Sequence, residues 1–283
     1  MSLIMATETT LNSATAWSPD VQAFAPAEVI PDALILRTST VAGRVEGDEP
    51  ALRVAWINDA SAAFSAEGTD IPEADPGLDE TLVYTGKISQ LVRISREQWT
   101  QERTPEMLSD SVRRAVIKRA NAAYLSQPAP VDPAVSPPAG LLNVAGIVAG
   151  GTLGANLDVI VDAIADIEGA SGMASQIITD PVTWAAISKL KSSTSSEVPL
   201  IGAPGTDAVV RSLMGVPVIV DAAIAAGTLL VVDSTAIASA VGDVRVNSSE
   251  HAYFTSDSIG LMCTWRIGWN VVDPDRIVKI ATA

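Results

Sequence analysis

The sequence predicts an α+β fold built from one long helix, many strands and an extended hairpin. Three observations support this class. Apolar and polar residues alternate along several segments of the first third of the chain, which is typical of strands. A helical pattern runs from Pro105 to Leu125, and short helices alternate with apolar strands in the second half. Apolar residues make up 48% of the chain and aromatic residues only 4%, so Ala, Val, Ile and Leu must supply most of the core.

The first segment, residues 1–40, is rich in Thr, Ser, Ala and Pro and shows no sustained periodicity. Such a composition buries too little apolar surface to fold by itself. We therefore expect an arm that becomes ordered only by lying on another surface.

Residues 41–75 predict an extended two-stranded hairpin. After a turn signal at residues 47–50, Leu52, Val54 and Trp56 occupy alternate positions, and a similar alternation returns at residues 62–66. An isolated hairpin is at best marginally stable in water. It therefore needs a partner surface, either on the body of the same chain or on a neighbouring subunit.

Strand signals at residues 82–84 and 88–94 lead into a long helix. Ser95 and Gln98 have the spacing of a capping box, and the helix is predicted from Pro105 to about Leu125. One apolar arc, about 140° wide, is expected to face the core. Its members are Leu108, Val112, Ala115, Val116, Ala120 and Ala123. Arg119 falls inside this arc, so we expect it to find a carboxylate or carbonyl partner on this chain or on another.

The second half follows a proline-rich segment, residues 127–140, which indicates a linker or crossover. Beyond it, helices alternate with buried strands. The predicted elements are a helix over 157–169, a strand over 176–179, a helix that begins at Asp180-Pro181, strands over 216–220 and 228–232, a last helix from Asp233, and closing strands between 261 and 280.

The chain is strongly acidic, with a formal charge of −15 at pH 7. This argues against a protein that binds nucleic acid through its own basic surface. Cys263 is the only cysteine, so no intrachain disulfide can form, and a small buried hydrophobic role is expected. The start of the chain lacks the pattern of an export signal. The two most apolar stretches, residues 140–157 and 216–232, are interrupted by Gly, Pro or Asp, so no membrane span is expected.

No set of residues predicts catalysis. The Gly-rich segment 146–154 lacks the spacing of a dinucleotide or phosphate loop and is expected to be a turn. A serine hydrolase would have to use Ser171 with His251, the only histidine, but residues 169–172 are one residue short of a nucleophile elbow. We therefore expect no enzyme and no bound cofactor.

An acidic stripe is predicted on the helix over 157–169. Asp158, Asp162 and Asp166 fall four residues apart, and this spacing is not that of a calcium loop. We expect a solvated acidic face and no metal site. Where several copies met around a symmetry axis, the repulsion among these carboxylates would favour a bound cation.

Several short motifs follow one another along the chain: residues 66–76, 86–88, 92–97, 180–184, 213–218, 230–233, 266–269 and 273–274. Their order resembles that of the major capsid proteins of tailed bacteriophages, which have the Hong Kong 97-like fold. The resemblance covers about residues 40–280. Each motif is short, and the specificity lies in the ordered set.

The resemblance implies a five-part architecture. It consists of an N-terminal arm over 1–40, an extended loop over 41–75, a peripheral domain with a spine helix over 76–130, an axial α/β domain over 131–247, and return strands of the peripheral domain over 248–283. In the family, the extended loop lies over a neighbouring subunit. That neighbour would supply the surface that the isolated hairpin lacks.

The contacts between subunits are expected to be non-covalent. Some family members join subunits by a Lys–Asn isopeptide bond from the extended loop, but residues 41–80 hold no lysine, and Tyr253 stands where the acceptor aligns. Packing, strand pairing and ion pairs are expected to provide the cohesion. The candidate inter-subunit contact residues are Arg44, Glu46, Asp48, Glu49, Arg53, Trp56, Arg119 and Tyr253.

The function implied is that of a structural protein that self-assembles, through pentamers and hexamers, into an icosahedral shell around packaged double-stranded DNA. The implied partners are a separate scaffolding protein, a portal protein and decoration proteins, with assembly in the bacterial host cytoplasm and a final place in the virion. An encapsulin, which builds a cellular compartment on the same fold, is the nearest alternative. A soluble serine hydrolase is an alternative from another class.

Overall fold

A computed structural model describes the chain over residues 21–24, 32–47, 49–58, 64–65, 73, 77–101, 104–154, 156–191, 201 and 211–282. Thirteen strands lie within this part of the chain. They are β1 (Val21–Phe24), β2 (Thr40–Val45), β3 (Ala51–Asn58), β4 (Gly77–Ser95), β5 (Val148–Leu153), β6 (Gln176–Thr179), β7 (Ser212–Leu213), β8 (Val216–Val220), β9 (Thr228–Val232), β10 (Ile237–Gly242), β11 (Val244–Tyr253), β12 (Ser258–Val271) and β13 (Ile277–Thr282).

Five α-helices accompany these strands in the described ranges. They are α1 (Leu34–Thr38), α2 (Arg96–Trp99), α3 (Thr104–Ser126), α4 (Asp158–Gly169) and α5 (Pro181–Ser188). Two of them begin at predicted capping signals. The Ser95 side chain accepts the Gln98 N–H at the start of α2, and Asp180 caps α5 with Pro181 in the first turn. No helix of the described residues is long and apolar enough to cross a membrane.

Strand β4 belongs to two structures at once. Residues 85–95 pair antiparallel with β12 in the body, and residues 77–84 pair antiparallel with β3. The hairpin therefore consists of 51–58 and 77–84, so its second strand lies beyond the boundary at residue 75 that the sequence predicted. Residues 77–95 contain no turn signal, and the strand continues without a break. The alternation at residues 62–66 lies outside the described residues except for 64 and 65.

A seven-stranded sheet forms one side of the body. Its strands are β1, β11, β12, β10 and β2 in that order, with β4 beside β12 and β3 beside β4. Strand β2, predicted as part of the extended loop, pairs in parallel with β10. Helix α3 packs against β4 and β12 of this sheet. The base of the predicted loop is therefore part of the body.

A six-stranded sheet forms the other side, with the order β5, β13, β9, β6, β8 and β7. Its central strands are buried on both faces. Ile177 and Val231 pack in a cluster with α4 and α5, whereas Ile178 and Val232 pack in a cluster that also contains residues of α3 and β12. Burial on both faces explains why these strands are continuously apolar. The two sheets share one core through Ile178 and Val232.

Two predicted boundaries disagree with the strand pairing. Strand β13, assigned to the return strands over 248–283, lies in the six-stranded sheet between β5 and β9. Strand β10 and the start of β11, assigned to the axial segment 131–247, lie in the seven-stranded sheet. The local sequence does not reveal which sheet each strand joins, because both strands are apolar and both sheets contain apolar strands. The division into domains itself remains a prediction.

Helix α3 has nearly the predicted length, but its buried face turns along its axis. Val112, Val116 and Ala120 are buried as expected, whereas the C-terminal turns bury Asn121 and Tyr124. Helix α1 and the turn over Leu141–Asn143 pack beside these last turns. The buried face thereby moves away from Arg119, which is exposed. Arg119 therefore does not lie in the core as its position in the arc predicted, but the expected carbonyl partner is present, because its guanidinium donates to Gln127 Oε1 at 3.2 Å.

Helix α1 belongs to the core, although residues 1–40 were predicted as an arm. Leu34 and Ile35 are buried, and the Leu34 N–H donates to Asn121 Oδ1 at 2.9 Å. The Thr38 hydroxyl donates to the Leu34 carbonyl oxygen at 2.8 Å and lies 3.1 Å from the Tyr124 hydroxyl. The short apolar run of residues 33–36 was hidden within a polar segment. Upstream, β1 pairs with β11.

Two further local predictions are wrong. Asp233 starts a single 3-10 turn, Ser234–Ala236, and accepts the Thr235 N–H at 2.9 Å, but no longer helix follows. The Gly-rich segment 146–154 forms β5 and is not a turn, because residues 148–153 pair in parallel with β13. A cap signal fixes where a helix begins and does not fix its length.

The close approach of β4 and β12 at the base of the hairpin requires glycine at position 268. A Cβ atom there would overlap the Tyr84 carbonyl oxygen and crowd the Thr85 Cα. We expect Gly268→Ala to lower the free energy of unfolding by about 2 kcal/mol, because backbone must move. Gly169→Ala is the control, since its Cβ would meet no atom within 4 Å. Urea denaturation of both variants checks this, and equal midpoints would contradict it.

The Asp180 carboxylate accepts the Val182, Thr183 and Gly227 N–H groups at 2.9, 3.1 and 3.2 Å. Burial by itself would raise the pKa of Asp180, but these hydrogen bonds and one with the Thr183 side chain outweigh it, so the pKa is lowered. The ionised Asp180 carboxylate therefore stabilises the folded chain at neutral pH. This contribution is lost as the pH falls through the lowered pKa.

We expect Asp180→Ala to cost about 1 kcal/mol of unfolding free energy at pH 7, the usual value of a helix cap. The difference from the native chain should shrink in acid. Asp162→Ala on the exposed face of α4 is the control and should change the free energy by less than about 0.5 kcal/mol. Thermal unfolding from pH 7 to pH 3 measures both, and a difference that stays constant with pH would contradict this account.

Candidate inter-subunit surface

The hairpin root, residues 49–50 and 84–85, is fixed to the body by a small polar network. The Thr85 hydroxyl donates to the Glu49 carbonyl oxygen at 2.6 Å, and the Thr85 N–H donates to the Pro50 carbonyl oxygen at 2.9 Å. Arg266 Nη1 donates to Thr85 Oγ1 at 2.8 Å and to the Glu49 carbonyl oxygen at 3.2 Å. Thr85 is buried, so these bonds replace water that it cannot reach.

The inner end of the hairpin is covered by its own chain. Val83 is fully buried, and Leu52 and Val54 pack with Val45 and Ala240 in a small cluster at the root. Eight residue pairs join β3 to β4, which corresponds to a ladder about 25 Å long. In its outer half, the described side chains, those of Ala55, Trp56, Asp79 and Glu80, belong to none of the hydrophobic clusters.

A groove of about 740 Å³ lies beside the hairpin root. We call it the basic groove. It is lined by the charged residues Arg44, Glu46, Lys87, Asp243, Arg245 and Arg266, together with Val45, Gly47, Gly242 and Thr264. Four of these side chains are cationic and two are carboxylates, which is the reverse of the balance over the whole chain. The groove therefore attracts anionic groups.

Within the basic groove, the cations differ in their partners. Arg44 is paired with Asp243, and Arg266 is engaged in the network at the hairpin root. Lys87 and Arg245 are exposed, and neither has an ion-pair partner among the described residues. Two positive charges are thus available there to an external carboxylate or phosphate.

The opposite end of β4 carries a second charged cluster. Arg96 pairs with Glu250 at 2.9 Å and with Asp257 at 2.8 Å, and these hydrogen bonds raise the pKa of Arg96. The Arg93 guanidinium lies 4.9 Å from the centre of the Tyr253 ring. Phe254 beside it is 80% exposed. At this end of the sheet, an exposed apolar ring therefore lies beside a cluster of paired charges.

The structure separates the eight predicted contact residues. Arg44, Glu46 and Glu49 lie at the basic groove and hairpin root, and Arg53 and Trp56 lie on β3. Arg119 lies in another groove, where it donates to Gln127 Oε1 at 3.2 Å. Tyr253 is at the far end of the sheet, and Asp48 lies outside the described residues.

Two predicted ion-pairing residues have partners within the chain. Arg53 lies 3.3 Å from Glu80 across the hairpin, and Arg44 pairs with Asp243. Glu49 contributes its backbone carbonyl group. Sequence reasoning missed Lys87, Arg245 and Arg266, which come from three different strands. The strand register that places Lys87 opposite Arg266 leaves no local pattern that could have revealed it. Contacts of the eight residues with other copies remain a prediction.

The residues weighed for catalysis do not form a cluster. Ser171 follows α4, beside the six-stranded sheet, whereas His251 lies on β11 of the seven-stranded sheet. Asp158, Asp162 and Asp166 are exposed, and the described residues contain no group of three or more potential metal ligands. Cys263 is buried, and burial raises the pKa of its thiol.

Comparison with known proteins decides the family. The sequence model of the phage capsid family matches residues 33–282, most of the chain. The chain belongs to the phage capsid family. No curated protein sequence matches it. The family supports the prediction that this is a phage major capsid protein, and it does not favour the encapsulin alternative.

Solved capsid structures share the fold of this capsid chain. The capsid of a native GTA particle is 18% identical, with a TM-score of 0.66 over 89% of this chain and 90% of that one. Gordonia phage Cozz gives 17% identity and a TM-score of 0.67 over 89% and 86% of the two chains. Mycobacterium phage Adephagia gives 12% identity and a TM-score of 0.69 over 98% and 99%. The predicted Hong Kong 97-like α+β fold is confirmed.

The hairpin root provides a test of the polar network. Thr85→Val replaces the hydroxyl group with a methyl group of similar size. The Glu49 carbonyl oxygen and Arg266 then lose their hydrogen bonds to this side chain. Such losses cost about 1–3 kcal/mol. We expect amide hydrogen exchange in residues 51–58 to become about tenfold faster, because a loss of 1.4 kcal/mol corresponds to a factor of ten.

Thr81→Val is the matched control, since Thr81 lies in the hairpin and its side chain makes no hydrogen bond within the described chain. Exchange in the six-stranded sheet should remain unchanged in both variants. Equal exchange rates of residues 51–58 in the two variants would show that the network does not hold the root.

Proposed function

We propose that this capsid protein assembles into a closed icosahedral shell of pentamers and hexamers that encloses double-stranded DNA, with the hairpin lying over a neighbouring subunit. The observation that carries the proposal is the outer half of the hairpin, 55–58 with 77–80. Its described side chains, those of Ala55, Trp56, Asp79 and Glu80, belong to no hydrophobic cluster of the described residues. A two-stranded ribbon is marginally stable alone, and a second copy would complete it.

The contact between copies would be heterologous, because the hairpin of one subunit meets a different surface of the next. Heterologous contacts close into rings when the rotation between subunits closes. The same contact could then serve rings of five and of six. Each contact can be modest, since a subunit held at several places dissociates far more slowly than one held at a single place.

The charge of the chain suits a container for DNA. A wall with an overall charge of −15 per subunit repels phosphates and limits adhesion of the packaged molecule. The DNA would be held without base-specific contacts. We further propose a separate scaffolding protein, a portal protein and decoration proteins as partners, assembly in the host cytoplasm, and a place in the mature virion.

The eight residues predicted as contacts are retained in this proposal, and five of them are given specific roles. Arg53 and Trp56 lie on β3 and would meet the neighbour directly. Arg44 and Glu46 would act through the basic groove. Tyr253, held by Arg93 next to the exposed Phe254, would contribute an apolar contact at the other end of the sheet.

Removal of the hairpin tests the proposal. Ala51 and Tyr84 are paired across the hairpin, so a two-residue Asn-Gly turn can replace residues 52–83. We expect this variant to keep its far-ultraviolet circular dichroism and the exchange protection of the six-stranded sheet, but to form no shells. Electron micrographs and light scattering measure assembly, with scaffolding protein added where the native chain requires it.

Thr81→Val, which keeps the hairpin at full length, is the control and should assemble as the native chain does. Closed particles of normal size from the shortened chain would refute the bridging role of the hairpin. A native chain that stays monomeric under all assembly conditions would refute the shell itself.

A further inference from the structure

We infer that the basic groove binds the acidic tip of the hairpin of a second copy. The hairpin tip is defined here as residues 59–76, which join β3 to β4. This inference rests on the proposed shell function and adds to it a specific, charge-based attachment between neighbours.

The charge of the hairpin tip comes directly from the sequence. Its eighteen residues contain five carboxylates and neither lysine nor arginine. The five are Asp59, Glu67, Asp70, Glu73 and Asp75. Asp79 continues the negative charge on β4, next to Glu80, which is paired with Arg53. The next lysine or arginine along the chain is Lys87, which lines the basic groove.

The basic groove offers the complementary charge. Lys87 and Arg245 project from β4 and β11 without a carboxylate partner in the described part of the chain. Arg266 between them is held in place by Thr85 and Glu49. The groove, at about 740 Å³, is large enough for several side chains of an inserted segment. Unpaired cations in a fixed groove favour an acidic peptide over an apolar one.

The geometry of the hairpin favours binding of the groove to the tip of a second copy rather than to the tip of its own chain. The groove lies at the hairpin root, and the paired strands extend from it as a ladder about 25 Å long. Asn58 and Gly77, which flank the tip, therefore lie at the end of the ladder away from this groove. In a ring of identical subunits, each tip can instead reach the groove of the next subunit, and every groove is then filled.

Zero-length crosslinking of the native chain tests the contact directly. Lys87 is the only lysine in the basic groove and the only one before Lys118. In assembled shells treated with a carbodiimide, we expect an amide bond between Lys87 Nζ and a carboxyl group of residues 59–76. Shells formed from mixed light and heavy nitrogen chains should show the hybrid peptide pair. The same crosslink should be absent from dilute, unassembled chain.

Charge reversal tests the energetic role. The groove variant Lys87→Glu with Arg245→Glu should raise the concentration needed for assembly about tenfold or more, since like charges then face each other at every contact. A tip variant that carries Glu67→Lys, Asp70→Lys and Glu73→Lys should do the same. Both sets of changes in one chain should restore assembly. Arg114→Glu with Lys118→Glu on the exposed side of α3 is the control with the same change in charge and should assemble normally.

Salt provides a further check of the same variants. The screening length falls from about 8 Å at physiological ionic strength to about 3 Å at 1 M salt. The difference between the groove variant and the control variant should therefore disappear in 1 M sodium chloride. Circular dichroism confirms that each variant is folded before assembly is compared.

The outcomes separate this inference from the proposed function. Native shells without a crosslink from Lys87 to residues 59–76, together with normal assembly of the groove variant, would overturn the inference and leave the shell intact. Crosslinks from Lys87 to the acidic face of α4 would also overturn it. So would a groove variant that assembles normally but packages less DNA, since the groove would then bind phosphate. Failure of the native chain to form any shell would refute the proposed function.

Discussion

The architecture depends on the double pairing of β4. One continuous strand pairs with β12 in the body and then with β3 in the hairpin, so the hairpin has no flexible joint at its base. A joint would need a turn or a bulge, and the register of β4 with β12 shows neither. The polar network around Thr85 and the close approach at Gly268 fix the point where the strand leaves the sheet. The direction of the hairpin is therefore set by the core.

The core that sets this direction spans both sheets. Because Ile178 and Val232 of the six-stranded sheet pack with α3 and β12, the two sheets are held together by one apolar cluster. The other face of the six-stranded sheet packs against α4 and α5. A subunit built in this way presents its hairpin, its grooves and its acidic helix at fixed relative positions. Fixed positions are what closed rings of identical subunits require.

Sequence reasoning succeeded where the signal is local. The bounds of α3, the caps of α2 and α5, and the strand over 176–179 follow from periodicity and from capping residues that lie within a few positions of one another. The ordered motifs also indicated the family. These features determined the fold class and the presence of a projecting hairpin, which together carry the functional conclusion.

Sequence reasoning failed where the outcome depends on long-range pairing. The second strand of the hairpin, the sheet that receives β13 and the exposure of Arg119 all depend on which element packs beside another. The basic groove is the clearest case, because Lys87, Arg245 and Arg266 are far apart in sequence and are brought together only by strand register. The burial of α1 was missed for the same reason, since its partner Asn121 is 87 residues away.

The continuous strand also has a mechanical consequence. A pull on the outer end of the hairpin acts along the axis of β4, and the eleven residue pairs that join β4 to β12 then bear the load together in shear. Antiparallel ladders hold their hydrogen bonds perpendicular to the strand axis, so no single bond is peeled open first. In a container under internal pressure, the contacts between subunits could then stretch while each subunit kept its shape.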